Sequence, residues 1–170
     1  MIRPGSLETD LPELTLRRLK AEDAVPYFDA VAANRDHLSQ FGDMTSDKYP
    51  TLETVQDSIV EYPDSDFDQD GNPRTRMGIW SDEQFVGFIK VTIGEAGAEI
   101  GYWMDSAYTG MGYATHAVRA LTSFAKHHYD VVYATAHAQN IASRRVLQKS
   151  GYSYDITMAI DGNEIDIFSA

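Results

Sequence analysis

Two glycines one residue apart, Gly110-Met111-Gly112, stand between a strand-like run and a helical stripe, and this junction restricts the fold more than any other stretch. Before it, Glu99-Ile100-Gly101-Tyr102-Trp103-Met104 is rich in the β-branched and aromatic side chains that suit a pleated, half-buried surface. After it, Ala114, Ala117, Val118, Leu121, Phe124, Ala125 and His128 recur at spacings of three and four, one face of a helix that begins at Tyr113 or Ala114. Val131 to His137 is strand-like again. Strand, helix, strand is a crossover, and the right-handed rule makes its two strands parallel neighbours. A glycine-rich turn entering a helix lets backbone approach a ligand closely. The unpaired N–H groups of the first turn, at the positive end of the helix dipole, then suit a phosphate or pyrophosphate. The same glycines also serve as a plain tight turn.

Upstream of the crossover the pattern is an antiparallel meander. Leu14 to Leu19 reads as a first strand near one edge, after an irregular tail over residues 1–12. Val25, Phe28 and Ala32 form a helical stripe in which Pro26 is tolerated because it falls in the first turn. Asn34 to Phe41 reads as a second short helix, and Pro50-Thr51 opens another with Leu52, Val55, Ile59 and Val60 inward. Residues 61–72 are acidic and rich in turn formers. Within them Asp66 to Gly71 matches the first half of an EF-hand loop, but the twelfth position, a bidentate glutamate in such loops, is Met77, so a solvated loop is expected. Arg76–Trp80 and Phe85–Ile93 are strands joined by Ser81 to Gln84, and Gly94 to Gly97 turns into the strand at Glu99. Asn140 to Ser150 is a last helix closed by Gly151, followed by a hairpin around Asp161-Gly162-Asn163. The expectation is one α/β domain over residues 1–170, with a mostly antiparallel mixed sheet and one parallel pair.

Composition removes whole classes of function. With no cysteine there is no disulfide, no thiolate metal site and no cysteine nucleophile, so any thiol chemistry comes from a ligand. A net charge of −12 argues against nucleic acid, whose phosphates need clustered Lys and Arg, and fits a cationic partner or simple solubility. No run of 18 apolar residues suits a membrane span, and residues 1–16 lack the features of a signal peptide, so a cytoplasmic protein is expected. The five histidines make no metal-binding pattern, and none is expected.

The second informative stretch is Asn140-Ile141-Ala142-Ser143-Arg144-Arg145-Val146-Leu147-Gln148-Lys149-Ser150-Gly151-Tyr152. Each residue has a purely structural use: Asn140 as an N-cap, Ala142, Val146 and Leu147 as a core stripe, Lys149 at the negative helix end, Gly151 as the left-handed terminator. Its order and spacing after the glycine turn add information. In both stretches together, and in Leu14-Thr15-Leu16-Arg17, the chain resembles the GNAT superfamily of acetyl-CoA-dependent N-acetyltransferases, most of all its RimJ/RimL branch.

That resemblance implies a GNAT fold, acetyl-CoA as cosubstrate and a primary amine as acceptor, attacked directly in a ternary complex. The acceptor is a protein N-terminus or a cationic small molecule, and a homodimer is left open. By the same resemblance the backbone N–H groups around Trp103 and Met104 hold the pantetheine arm and polarise the carbonyl. Thr109, Gly110, Met111, Gly112, Tyr113 and Ala114 cradle the pyrophosphate, Asn140 bonds the pantetheine or acceptor, and Arg145 and Lys149, with Arg144, lie near the phosphates. Glu99 is the candidate base, directly or through water, and Ser143 the donor to the departing thiolate. His137 is a further candidate for acceptor contact.

Two positions depart from the family pattern. Its turn usually starts with Arg or Gln, here Thr109, and many relatives carry an acid tyrosine where this chain has Gln148. These departures keep a second reading open, a non-catalytic acyl-CoA sensor of the same fold. A dinucleotide fingerprint fails because its third glycine is Thr115 and Asp130 precedes the second strand, and a Walker loop fails for want of Gly-Lys-Ser/Thr.

Overall fold

The computed structural model describes residues 5–43, 45–60 and 74–170. In chain order the elements are β1 (Ser6–Glu8), β2 (Leu14–Arg17), α1 (Ala24–Ala33), α2 (Arg35–Ser39), α3 (Thr45–Lys48), α4 (Leu52–Val60), β3 (Arg74–Ser81), β4 (Gln84–Gly94), β5 (Gly97–Met104), α5 (Tyr113–Lys126), β6 (Val132–His137), α6 (Ile141–Lys149), β7 (Ser153–Ile160) and β8 (Asn163–Ser169). The acidic, EF-hand-like segment Asp66 to Gly71 lies outside the described residues; its twelfth position, Met77, is a fully buried residue of β3.

Among the described residues the strands form one sheet in the order β1-β2-β3-β4-β5-β6-β8-β7. All neighbouring pairs are antiparallel except β5 and β6, which the α5 crossover makes parallel. The mixed α/β architecture is therefore as read from the sequence. One correction concerns the tail: Ser6–Glu8 pairs with β2, so it is an edge strand and β2 lies one place inside it. Leu7 of this strand packs against the core, which draws the segment onto the sheet. Thr45–Lys48 is an additional helical turn, too short to show a periodic stripe.

Period-two alternation gives the sheet two different apolar faces. On one, Ile89, Ile100 and Ala134 pack with Ala117, Val118, Leu121 and Ala125 of α5 and Leu147 of α6. On the other, Phe88 and Trp103 pack with Tyr27 of α1, Leu38 of α2, Tyr49, and Val55 and Ile59 of α4. Tyr27 is the centre of that second cluster, with ring centroids 5.4–5.8 Å from Tyr49, Phe85, Phe88 and Trp103. Asn34, buried between α1 and α2, donates from Nδ2 to Ala30 O and accepts the Ser106 N–H at 2.8 Å, which ties this layer to the turn after β5. Of the stripe expected in α6, Leu147 is buried, Val146 partly so, and Ala142 is exposed.

Candidate active site

The site begins where two central strands part. β5 pairs with β6 only through Ala98, Glu99 and Ile100, although it stays paired with β4 as far as Met104, and β6 stays paired with β8 as far as His137. Beyond Ile100 and Ala134 the strands diverge and leave one edge of β5 open. Alternation decides which backbone groups face that opening. Ala98 N–H points toward β6, donating to Val131 O at 2.9 Å, and Asp105 N–H points the other way, donating to Val86 O at 2.9 Å. The N–H groups of Tyr102 and Met104 therefore face the gap, and that of Trp103 faces β4. The Trp103 side chain belongs to the aromatic cluster on the face away from α5, and it also lines the cavity described next.

A cavity of about 470 Å³ occupies the opening. Ile100, Tyr102 and Ser143 line it on the side of α6, and Glu99, Gly101, Trp103 and Thr135 line it toward the helical layer of α1 to α4. Tyr27, Tyr49 and Phe88 add aromatic wall, and Asp43, Thr45, Lys48, Arg76 and Lys90 complete the lining. Glu99 Oε1 accepts the Thr135 hydroxyl at 2.8 Å, which fixes its carboxylate beside the point of divergence.

Ser143 sits in the first turn of α6. Its N–H is capped by Asn140 Oδ1 at 3.1 Å, and its Oγ lies 2.9 Å from the Tyr102 hydroxyl, which also donates to Ser143 O at 3.2 Å. Burial pushes the Tyr102 hydroxyl well above the ordinary tyrosine range, with the Ser143 hydrogen bond acting in the opposite sense, so the phenol stays protonated. Sequence reasoning missed Tyr102 as a site residue. The signal was parity: two places before Met104, it shares that residue's N–H direction and side-chain face.

The glycine turn leads directly into α5. Gly112 is its N-cap with φ of 85°, and among the described residues no side chain bonds the first-turn N–H groups. Gly110, with φ of 79°, has open space where a Cβ would lie, so the backbone conformation is what requires glycine there. Gly110, Met111 and Gly112 are exposed, Tyr113 and Ala114 half-buried, and the Tyr113 hydroxyl accepts from Ser81 Oγ at 3.1 Å. Thr109 turns its hydroxyl back onto Ser106 O at 2.9 Å, so its side chain is committed to the preceding turn.

The C-terminal end of α6 meets the first turns of α5, where Arg119 donates to Lys149 O at 2.6 Å and Ser150 Oγ donates to Thr115 O at 3.3 Å. Arg145 and Lys149 are exposed beside this contact. Arg144 is not available to a ligand in the same way: its Nε lies 2.8 Å from Asp166 Oδ2, a buried carboxylate that also accepts the Thr157 hydroxyl at 2.6 Å. His137 packs its ring 5.7 Å from that of Phe41, accepts the Gln139 N–H, and does not line the cavity. Gln148 is exposed on α6. Among the described residues no three His, Asp or Glu side chains converge as a metal set, and no helix is long and apolar enough to cross a membrane.

The sequence profile of the family described as Acetyltransferase (GNAT) domain matches residues 13–153. The chain is 30% identical over 143 residues to the probable N-acetyltransferase YjcK of Bacillus subtilis, covering 81% of this chain and 78% of that protein. In three dimensions it is similar to RimL, a ribosomal L7/L12 alpha-N-protein acetyltransferase in complex with coenzyme A, with a TM-score of 0.82 at 18% identity over 96% of this chain and 97% of that one. It is also similar to Mycobacterium smegmatis RimJ in complex with CoA-disulfide, with a TM-score of 0.80 at 22% identity over 99% and 90% of the two chains.

Proposed function

Because the chain belongs to the GNAT acetyltransferase family, we propose that its single domain transfers the acetyl group of acetyl-CoA to a primary amine by direct attack in a ternary complex, with a protein N-terminal α-amine as the favoured acceptor. The observation that carries this reading is the divergence of β5 from β6, which leaves the Tyr102 and Met104 N–H groups on an open strand edge beside a cavity that Glu99 to Trp103 line. Relatives described as acetylating ribosomal-protein N-termini share the fold and support the choice of acceptor.

The residues present fit the cosubstrate. The exposed, uncapped first turn of α5 offers its N–H groups to a pyrophosphate, and the free edge of β5 offers strand-like hydrogen bonds to the amide-bearing pantetheine arm. Arg145 and Lys149 add positive charge beside the start of α5. Acetyl-CoA, when bound, supplies the activated acyl group. Everything else falls to the chain.

A lysine amine with a pKa of about 10.4 is about 0.04% neutral at pH 7, a cost of roughly 4.6 kcal/mol, against roughly 1 kcal/mol for an α-amine near 7.8. An α-amine therefore asks little of its base. Glu99, held by Thr135 on the acceptor side of the opening, takes the proton directly or through one water. The open N–H groups of β5 stabilise the charge that develops on the carbonyl oxygen. Ser143, from the opposite side, donates a hydrogen bond from its hydroxyl to the departing thiolate, which takes its proton from solvent after it has left, and Tyr102 holds that hydroxyl in place. Asn140 acts one step back, as the cap that fixes the turn carrying Ser143.

The test is thiol release from acetyl-CoA against matched α-amino peptides, lysine peptides, polyamines and aminoglycosides. Turnover that is highest on α-amino peptides and depressed mainly in kcat by Glu99→Gln supports the proposal. Turnover confined to polyamines or aminoglycosides removes the peptide acceptor. Tight acetyl-CoA binding with no turnover on any amine makes the domain an acyl-CoA sensor.

A further inference from the structure

The two edges of the sheet are finished differently. At one end β1 is three residues long, Ser6–Glu8, too short to offer a ladder to another chain. At the other, β7 runs for eight residues, Ser153–Ile160, and every one of them is exposed. Every second residue of an outermost strand turns its N–H and C=O away from the sheet, so β7 presents a row of strand-like donors and acceptors. A bulge at Asp155 kinks only its start, and the ladder with β8 is regular from Ile156 to Ile160. The side chains that blunt such an edge are missing: β7 holds no lysine, arginine or proline. Its one charge is Asp155, which accepts from Ser169 Oγ at 2.9 Å.

The side chains on this edge are those of an interior. Among the described residues eight large apolar side chains are exposed, and half of them, Tyr154, Ile156, Met158 and Ile160, belong to β7, each 44–54% exposed. Ile156, Met158 and Ile160 share one face, opposite Ile167, Ile165 and Asn163 of β8. The bulge turns Tyr154 to the other face, where its ring centroid lies 5.9 Å from that of Phe168. Ile156 to Ile160 is thus an uncharged run, rich in β-branched residues and free of glycine and proline, on an open edge. That composition pairs with another strand.

We propose that β7 is an interface between two copies of this chain, pairing antiparallel with β7 of a second copy so that the two sheets become one. Self-pairing needs a two-fold axis normal to the sheet, which reverses the strand and keeps each face on its own side. Directly opposed residues then share a face, so the register centres on a residue and not between two. Centring on Met158 would set Asp155 against Asp161 of the other copy at both ends of the ladder, and like charges oppose pairing. Centring on Thr157 sets Ile156 against Met158 and moves Asp155 beside Ala159, so the carboxylates part and the apolar residues meet. Four side chains with about half their surface in water leave on the order of 100 Å² each, or roughly 400 Å² per copy before backbone is counted. Two copies then come close to the lower bound of about 1,000 Å² for a specific interface, which sets a dimer that dissociates at micromolar concentration.

The test is sedimentation velocity of the full chain from about 1 to about 200 μM, where a monomer is expected to give way to a dimer with a Kd of about 10 μM. Met158→Lys and Ile156→Lys each weaken association about tenfold or more, because they set a charge at the centre of the ladder, and leave Tm and acetyl-CoA affinity unchanged. Val25→Lys, on an equally exposed residue of α1, leaves association as it was. Because the chain has no cysteine, Thr157→Cys adds a single thiol, and mild oxidation is expected to join two copies through it, whereas Ser6→Cys on β1 stays unlinked. A chain that sediments as a monomer at about 200 μM overturns the inference and leaves the edge to a strand of another protein. A dimer whose Kd Met158→Lys does not change forms elsewhere and overturns it as well. Should the lysine variants fail to fold, the cross-link decides: Thr157→Cys left unlinked at concentrations where the wild type is dimeric overturns the pairing. None of these readouts involves turnover, so the inference stands or falls apart from the acetyltransferase reading.

Discussion

The two helices that flank β6 begin in opposite ways. α5 starts at a left-handed glycine, with no side chain among the described residues bonded to its first-turn N–H groups, and α6 starts at Asn140, whose Oδ1 takes the Ser143 N–H. A good N-cap is worth about 1 kcal/mol, so the bare end leaves stability unrealised in the free protein. What the difference teaches is a division of labour. On the proposed function, the bare end keeps its N–H groups for an anion brought by a ligand. The capped end is complete before any ligand arrives and holds a side chain still, and Tyr102 adds a second restraint to that side chain from β5.

If this division is right, the largest effect comes from the side chain that the capped helix presents. Ser143→Ala is expected to lower kcat about a hundredfold, the lower range for loss of one hydrogen-bond donor to developing charge, while acetyl-CoA affinity measured by calorimetry changes little. Tyr102→Phe, which leaves the serine but removes its restraint, should cost about tenfold in kcat. A Ser143→Ala enzyme with near-normal kcat would mean that α6 only packs, and the contrast between the helices would lose its chemical half.

At the bare end the readout changes from rate to affinity. Met111→Asp puts a carboxylate on an exposed residue next to the N-cap. There it interacts favourably with the helix dipole and competes with a phosphate for the same N–H groups. Acetyl-CoA should bind about tenfold more weakly with Tm unchanged or slightly raised, and the loss should shrink in high salt. Unchanged affinity would sink the assignment of the α5 terminus to the pyrophosphate. Asn140→Ala gives the converse result: a loss of about 1 kcal/mol, or a Tm lower by roughly 2–4 °C, with kcat reduced a few-fold and acetyl-CoA affinity intact.

How far each helix start was legible follows from the same physics. Gly110-Met111-Gly112 and Asn140-x-x-Ser143 are local signals, because a left-handed turn and a side-chain cap are satisfied within four residues of chain. The parallel pair followed from the crossover. What the sequence hid depends on long-range register. Nothing in β5 announces that its pairing with β6 stops at Ile100, and it is this stop, with residue parity, that makes Tyr102 and Met104 the open donors in place of Trp103. The commitment of Arg144 to the buried Asp166 spans the α6 and β8 segments and is equally invisible in a run of two arginines. Thr109, which departs from the family pattern, proves to be occupied by its own turn.

The smallest expected effect tests the boundary between the two helix ends. Arg145 and Lys149 belong to the capped helix by sequence, yet the contacts between Arg119 and Lys149 O, and between Ser150 and Thr115 O, place the end of that helix beside the start of the bare one. Exposed cations in such a position act through a screened field and contribute little each. Arg145→Gln and Lys149→Gln should therefore weaken acetyl-CoA binding about two- to threefold apiece at low ionic strength, and by nothing measurable near 1 M salt, where the Debye length falls to about 3 Å. Neither should change kcat, because neither side chain lines the cavity between β5 and β6. A change in kcat for either variant would show that α6 responds as one rigid body from Ser143 to Lys149, and that the ligand's phosphates also help to set the position of the serine.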